Sequence, residues 1–130
     1  MAYALTTTVD DTFEHTLAAT RQALADQGFG VLTEIDLSVT LKAKIDVDIA
    51  PQVILGACRP PLAYAAVLAE PSIGLLLPCN VVVRSLGENR TLVEAMDPAV
   101  MVRLTENQGL AAVAADARTR LTAALDALTA

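Results

Sequence analysis

Two cysteines carry the strongest chemical signal in this sequence. Cys58 follows the apolar run Val53–Ala57, which predicts a buried strand, and it directly precedes a helix opened by Pro60 and Pro61. Proline suits the first turn of a helix because its missing N–H has no intrahelical partner there. A thiol at a helix N-terminus meets the positive end of the helix dipole, which favours the thiolate. Cys79 begins the next predicted strand, after that helix and a turn.

The order of these elements predicts where the two sulfurs lie. A chain that leaves a sheet for one short helix commonly returns near its point of departure. We therefore expect Cys58 and Cys79 at one end of the sheet, with Cα atoms within about 10 Å, bordering a pocket. The functional interpretation is a redox pair, a persulfide carrier or a soft-metal site, with Asn80 and the backbone N–H groups after Cys58 as hydrogen-bond donors. The alternative is that both cysteines are small, buried apolar residues.

Two glutamates within predicted strands are secondary candidates. Glu94 shares a strand face with Leu92 and Met96, and Glu34 has Lys44 as its candidate partner. A buried glutamate needs such a partner, or its pKa rises. This favours an acid or base role if either carboxylate faces an enclosed cavity. The alternative is that both carboxylates meet water at a sheet edge.

The remaining chemical signals are weak. A structural zinc site ordinarily needs four ligands, and the chain offers two Cys and one His. That histidine, His15, falls opposite the apolar stripe of its helix, which indicates a solvated side chain. No GxGxxG, Walker, HExxH, GxSxG or CxxC motif is present. These absences remove the common nucleotide enzymes, zinc proteases and serine hydrolases. The sequence assigns neither a metal nor a cofactor.

Composition limits the class of protein and its partners. The chain has 130 residues, of which 54% are hydrophobic and 18% charged, and this predicts one folded domain over residues 1–130. The net charge of −6 is of the wrong sign for binding phosphate backbones or anionic lipid. No basic and apolar leader and no run of about 20 apolar residues is present. Two cysteines are too few for a disulfide scaffold, so we expect a soluble cytoplasmic protein.

Periodicity and end signals predict the elements that position these residues. Asp11 and Glu14 fit a capping box that opens a helix ending at Gly28, and Asp36 can cap a second, short helix. The full series is strand 3–8, helix 11–27, strand 29–35, the short helix, strand 53–57, helix 60–69, hairpin 80–86 and 91–96, a further short helix opened by Asp97-Pro98, and helix 109–128. This order predicts an α+β fold with an antiparallel sheet of at least four strands, not a doubly wound parallel sheet.

Four blocks of the sequence together resemble a known family. These are Gly28–Asp36, Ile54–Pro60, Gly74–Val81 and Asp97-Pro98, and they resemble the successive blocks of the domain of unknown function 302 family. One departure is Asp46, where the family pattern carries Gly. The resemblance implies a TATA-box-binding-protein-like fold, in which helices pack on one face of a curved antiparallel sheet. It also implies a homodimer.

The resemblance implies no reaction. The fold class contains a DNA binder, but fold does not transmit function, and the acidic charge argues against nucleic acid here. Three hypotheses remain. The first is a binding module for a small ligand, soft metal or persulfide at Cys58 and Cys79. The second is an acid/base enzyme using Glu34 or Glu94, and the third is a purely structural homo-oligomerisation protein.

Overall fold

Five strands form one antiparallel sheet in the computed structural model of the chain, which describes residues 2–130. The strands are β1 Ala4–Val9, β2 Gly30–Asp36, β3 Gln52–Cys58, β4 Cys79–Gly87 and β5 Arg90–Met96, in the spatial order β1-β5-β4-β3-β2. The helices are α1 Phe13–Asp26, α2 Leu37–Ile45, α3 Pro60–Ala69, α4 Ala99–Thr105 and α5 Ala111–Ala127, with 3₁₀ segments at Pro71–Leu76 and Gln108–Leu110. The predicted α+β class is confirmed. Within residues 2–130, none of the helices combines the length and apolar character needed to cross a membrane.

The first helix begins one residue later than the capping-box prediction. Thr12 is the N-cap, and its side chain accepts a hydrogen bond from the His15 backbone N–H at 3.2 Å. Asp11 instead accepts from the backbone N–H of Thr12 at 2.7 Å. The prediction that Asp11 caps α1 is therefore wrong, because the hydroxyl three residues before His15 is the one in reach. The predicted stop is correct, since Gly28 follows the helix at φ +82.

The turn after α2 explains the departure from the family pattern. Asp36 caps this helix as predicted, accepting from the Val39 N–H at 3.0 Å. Asp46 ends it in the left-handed conformation, at φ 54. Glycine is the favoured residue in that conformation, and aspartate is one of the few others that adopt it routinely. Asp46 also lies 2.8 Å from Lys42 Nζ through Oδ1. Asp46 therefore adopts here the left-handed conformation that glycine favours.

One face of the sheet is buried against α1 and α5. Alternate strand residues point into this layer and are at most 3% exposed; they are Val53, Leu55, Ala57, Val81, Val83, Val93 and Ala95. Leu24 of α1 and Leu121 of α5 complete the cluster from the helix side. The alternation follows from the period-2 geometry of a strand. The residues between them lie on the opposite face, which we call the open face.

A second, smaller apolar cluster lies beyond the end of the sheet. Ala66 of α3, Ile73 of the first 3₁₀ segment and Met101 of α4 pack there with Leu110 and Ala114. The long helix α5 takes part in both clusters, with Ala114 in this one and its later turns over the sheet. The cysteines lie where the two clusters meet.

Gly56 gives a test of how tightly the β3 end of the sheet is packed. A Cβ atom at this position would lie 2.1 Å from Thr33 Oγ1 and 2.8 Å from Pro78 Cγ. We expect Gly56→Ala to lower the free energy of unfolding by about 1–3 kcal/mol, as overpacking does. The matched control is Gly74→Ala, because a Cβ there has no heavy atom within 4 Å. Urea denaturation of both variants checks the prediction, and equal midpoints would contradict it.

Candidate functional site

The two cysteines lie at the same end of the sheet. β3 ends at Cys58, β4 begins at Cys79, and Cys79 is directly opposite Ala57 in the β3–β4 ladder. Directly opposed residues of an antiparallel pair have Cα atoms about 4.5–5.5 Å apart, and consecutive Cα atoms lie about 3.8 Å apart. The Cα atoms of the two cysteines are therefore within about 10 Å of each other, as the order of elements predicted.

Both cysteines border one small cavity, Cys79 at the start of β4 and Cys58 at the end of β3. Its volume is about 30 Å³, enough for one or two water-sized groups. Apart from Cys58, Cys79 and Arg59, the residues that border it are apolar, with Phe29, Ala57, Leu62, Ala66, Leu77 and Met101 among them. The wall thus joins residues from both apolar clusters. We call this space the thiol cavity.

The two thiols differ in environment. Cys79 is buried at 7% exposure, whereas Cys58 is half-buried. Burial, with a smaller contribution from the neighbouring charge of Cys58, raises the pKa of Cys79 to about 11. Cys79 is therefore a protonated thiol at neutral pH, and Cys58 is the sulfur that solvent reaches.

Positive charge at the cavity comes from a side chain rather than from the helix N-terminus. The two prolines that open α3 have no N–H, and the N–H groups of Leu62 and Ala63 both donate to the Arg59 carbonyl at 3.0 Å. From Pro60 to Ala63, the backbone donors expected after Cys58 are therefore absent or already used. Arg59 lines the cavity itself, and its Nε donates to the Gln27 carbonyl at 3.3 Å.

Asn80 does not take part in the thiol cavity. It follows Cys79 in β4, so its side chain points to the open face, where it is exposed. There it borders a depression of about 200 Å³ together with Tyr3, Val82, Glu94 and Met96. We call this the open-face depression. Asn80 therefore lies on the other face of the sheet from Cys79, and its donation to a ligand held by the cysteines stays a prediction.

Glu34 is ion-paired with Arg21 of α1 and not with Lys44. Glu34 lies opposite Leu55 in the β2–β3 ladder, so it is on the face that the helices cover. This places it beside α1, whereas Lys44 is exposed near the end of α2. Both partners of the ion pair are more than 40% exposed, so Glu34 meets solvent rather than an enclosed cavity.

Glu94 belongs to the open face and has two polar neighbours. Its Oε2 accepts from the Thr6 hydroxyl at 3.3 Å, and its Oε1 lies 3.6 Å from Arg84 Nη2. Sequence reasoning identified the glutamate and missed Thr6, Arg84 and Tyr3. Their proximity depends on the cross-strand register of β1, β5 and β4, which no local pattern in the sequence reveals.

The sulfur-containing side chains at the thiol cavity are those of Cys58, Cys79 and Met101. Among residues 2–130, no group of three or more His, Cys, Asp or Glu side chains is arranged to hold a metal ion. A metal at the thiol cavity would also require the thiolate form of Cys79. A metal bound by both cysteines would therefore need deprotonation of a thiol whose pKa is about 11.

Comparison with known proteins confirms the resemblance found in the sequence. The family model described as "Domain of unknown function DUF302" matches residues 5–128. A solved structure similar to this chain is the crystal structure of an uncharacterized conserved protein DUF302 from Bacillus stearothermophilus. It has 28% sequence identity and a TM-score of 0.88, over 97% of this chain and 98% of that one. None of the curated proteins compared matches the chain.

The raised pKa of Cys79 predicts a pH dependence of folding stability. The folded-state pKa of about 11 is above the ordinary value of 9.0, so the unfolded chain loses this proton first. The contribution of the protonated Cys79 thiol to the free energy of unfolding is therefore complete below pH 9 and is lost as pH rises toward 11. Unfolding free energies of the wild type and Cys79→Ala, compared from pH 8 to 11 by urea denaturation, should converge by on the order of 1 kcal/mol per unit above pH 9. A constant difference over that range would contradict this assignment.

Proposed function

The chain belongs to the family of the domain of unknown function DUF302, and from that premise we propose that it is a small thiol-based binding module that carries a sulfane sulfur atom on Cys58. The observation that carries the proposal is that Cys58 and Cys79 line one apolar cavity of about 30 Å³. A space of this size accepts an adduct of one or two atoms.

The proposed step is a sulfur transfer between thiols. The Cys58 thiolate attacks the outer sulfur of a low-molecular-weight persulfide, and a new S–S bond forms on Cys58. The sulfur–sulfur bond of the donor breaks, and the donor leaves as its thiolate, which takes up the proton that Cys58 released. No external oxidant is required. The guanidinium of Arg59, which also lines the cavity, stabilises the negative charge on the Cys58 persulfide.

Two features favour a persulfide over a soft metal. Cys79 is protonated at neutral pH because its pKa is about 11, whereas a metal needs thiolate ligands. A protonated thiol is nevertheless a weak hydrogen-bond donor toward an anionic sulfur held beside it. The proposal also requires reduced cysteines, which is the state that the cytoplasm maintains, and we place the protein there on this ground.

Mass spectrometry of single-cysteine variants tests the carrier. Reduced protein is incubated with glutathione persulfide, and the mass of one added sulfur is located by peptide mapping. We expect the adduct on Cys58 in the wild type and in Cys79→Ser, and no adduct in Cys58→Ser. An unmodified wild type, or sulfur found only on Cys79, would refute the proposal.

A filled cavity tests whether the pocket retains the sulfur. Ala63 lines the thiol cavity, and Ala65 on the same helix does not. We expect Ala63→Leu to shorten the lifetime of the Cys58 persulfide, measured as loss of the adduct over time, and Ala65→Leu to leave it unchanged. Equal lifetimes in the two variants would contradict the proposal that the cavity retains the sulfur.

A second proposal concerns assembly, and it rests on α2. None of the nine residues of this helix is buried, and Val39 and Ile45 are both 63% exposed. The loop that follows adds Val47 and Ile49, at 42% and 38% exposure. A helix shorter than about 12 residues is marginal in water without tertiary packing. We propose that α2 and loop 46–51 form the contact of a homodimer.

Solution mass measurements test the dimer. Size-exclusion chromatography with light scattering should give twice the chain mass for the wild type and a monomer for the double variant Val39→Asp, Ile45→Asp. The control is Leu75→Asp, which changes an 88% exposed leucine in the 3₁₀ segment outside the proposed contact. A monomeric wild type, or equal dissociation of the control, would overturn the proposal.

A further inference from the structure

We propose that the open-face depression is a binding site for a small organic ammonium ion with an apolar body. The depression has a volume of about 200 Å³, several times that of the thiol cavity, and it lies on the other face of the sheet. Its walls combine one carboxylate, one carboxamide and one phenol with apolar side chains. This combination distinguishes it from an apolar surface patch.

The strand register fixes the separation of its polar groups. Glu94 of β5 is directly opposite Val82 of β4, and Asn80 lies two residues before Val82 on the same face. Glu94 and Asn80 are therefore diagonal neighbours, at about 7–8 Å between backbone positions. A single small ligand can contact both, with Val82 and Met96 beneath its apolar part.

The Glu94 carboxylate supplies the charge recognition. Glu94 already forms an ion pair with Arg84, but Nη2 of Arg84 is 3.6 Å from Oε1, longer than the roughly 2.7–2.9 Å of a charge-assisted N–H bond to a carboxylate. Its other polar neighbour is the Thr6 hydroxyl, at 3.3 Å from Oε2. A carboxylate has about four acceptor positions, so acceptor capacity remains for an ammonium group. The net charge of −6 attracts cations to the molecule and disfavours anionic ligands.

Tyr3 supplies an aromatic surface beside this charge. Its side chain is 59% exposed and borders the depression. An ammonium group held over a tyrosine ring gains a cation–π attraction in addition to its ion pair. A ligand with a positive head and an apolar body therefore fits this site better than a neutral or negative one of the same shape.

Three probes of matched shape test the charge preference. Phenethylammonium, the neutral phenethyl alcohol and the anionic 3-phenylpropionate are titrated into ¹⁵N-labelled protein, and amide shifts around β4 and β5 are followed. We expect saturable binding of the ammonium probe alone, with Kd on the order of 1 mM for a ligand of this size. No saturable shift with the ammonium probe, or equal binding of all three, would overturn the proposal.

Substitutions at two strand glutamates complete the test. Glu94→Gln keeps the size and removes the charge, and it should weaken binding at least about tenfold. Glu34→Gln is the matched control, because Glu34 is ion-paired with Arg21 away from the depression. Unchanged binding by Glu94→Gln, with a wild-type amide spectrum, would refute the site. Cys58→Ser should bind the probe as the wild type does, so failure of the sulfur-carrier proposal is distinguishable from failure of this one.

Discussion

Burial of one face of the sheet against α1 and α5 is the interaction on which the other features of the molecule depend. Each fully buried Val or Leu contributes roughly 1.5–3 kcal/mol relative to an exposed one, and the central strands supply Leu55, Val81, Val83 and Val93 at 0% exposure. A register slip of one residue would move this whole set to the open face. The alternation of side chains along each strand therefore decides which face of the sheet a polar residue occupies.

The thiol cavity follows from the small side chains that let these helices approach. Ala57 of β3, Ala66 of α3 and Ala117 of α5 all line it, at the junction between the two apolar clusters. Alanine allows close contact between elements but cannot fill the space left where three of them diverge. A small space therefore remains beside the cysteines, at the point where the two apolar clusters meet.

Local signals in the sequence predicted most of the helices and strands. They did not predict which residues of different elements contact each other. Gly28 and Asp36 mark helix ends through backbone conformation and capping, which depend on near neighbours alone. Asn80 was grouped with Cys79 because the two are adjacent in sequence, whereas adjacent residues of a strand face opposite ways. The partner of Glu34 was wrong for a related reason. Arg21 is separated from it by 13 residues, and only the packing of α1 on the sheet brings them together.

The two proposed sites share one strand and no side-chain partner. Cys79 and Asn80 are consecutive in β4, which is paired with β3 on one side and β5 on the other. Because both of its ladders are occupied, β4 cannot shift to accommodate a ligand without breaking backbone hydrogen bonds on two sides. Cys79 and Asn80 are therefore both held by a strand that is paired on two sides. A substitution at buried Val81, which holds β4 against the helices, is the kind of change that affects both sites together.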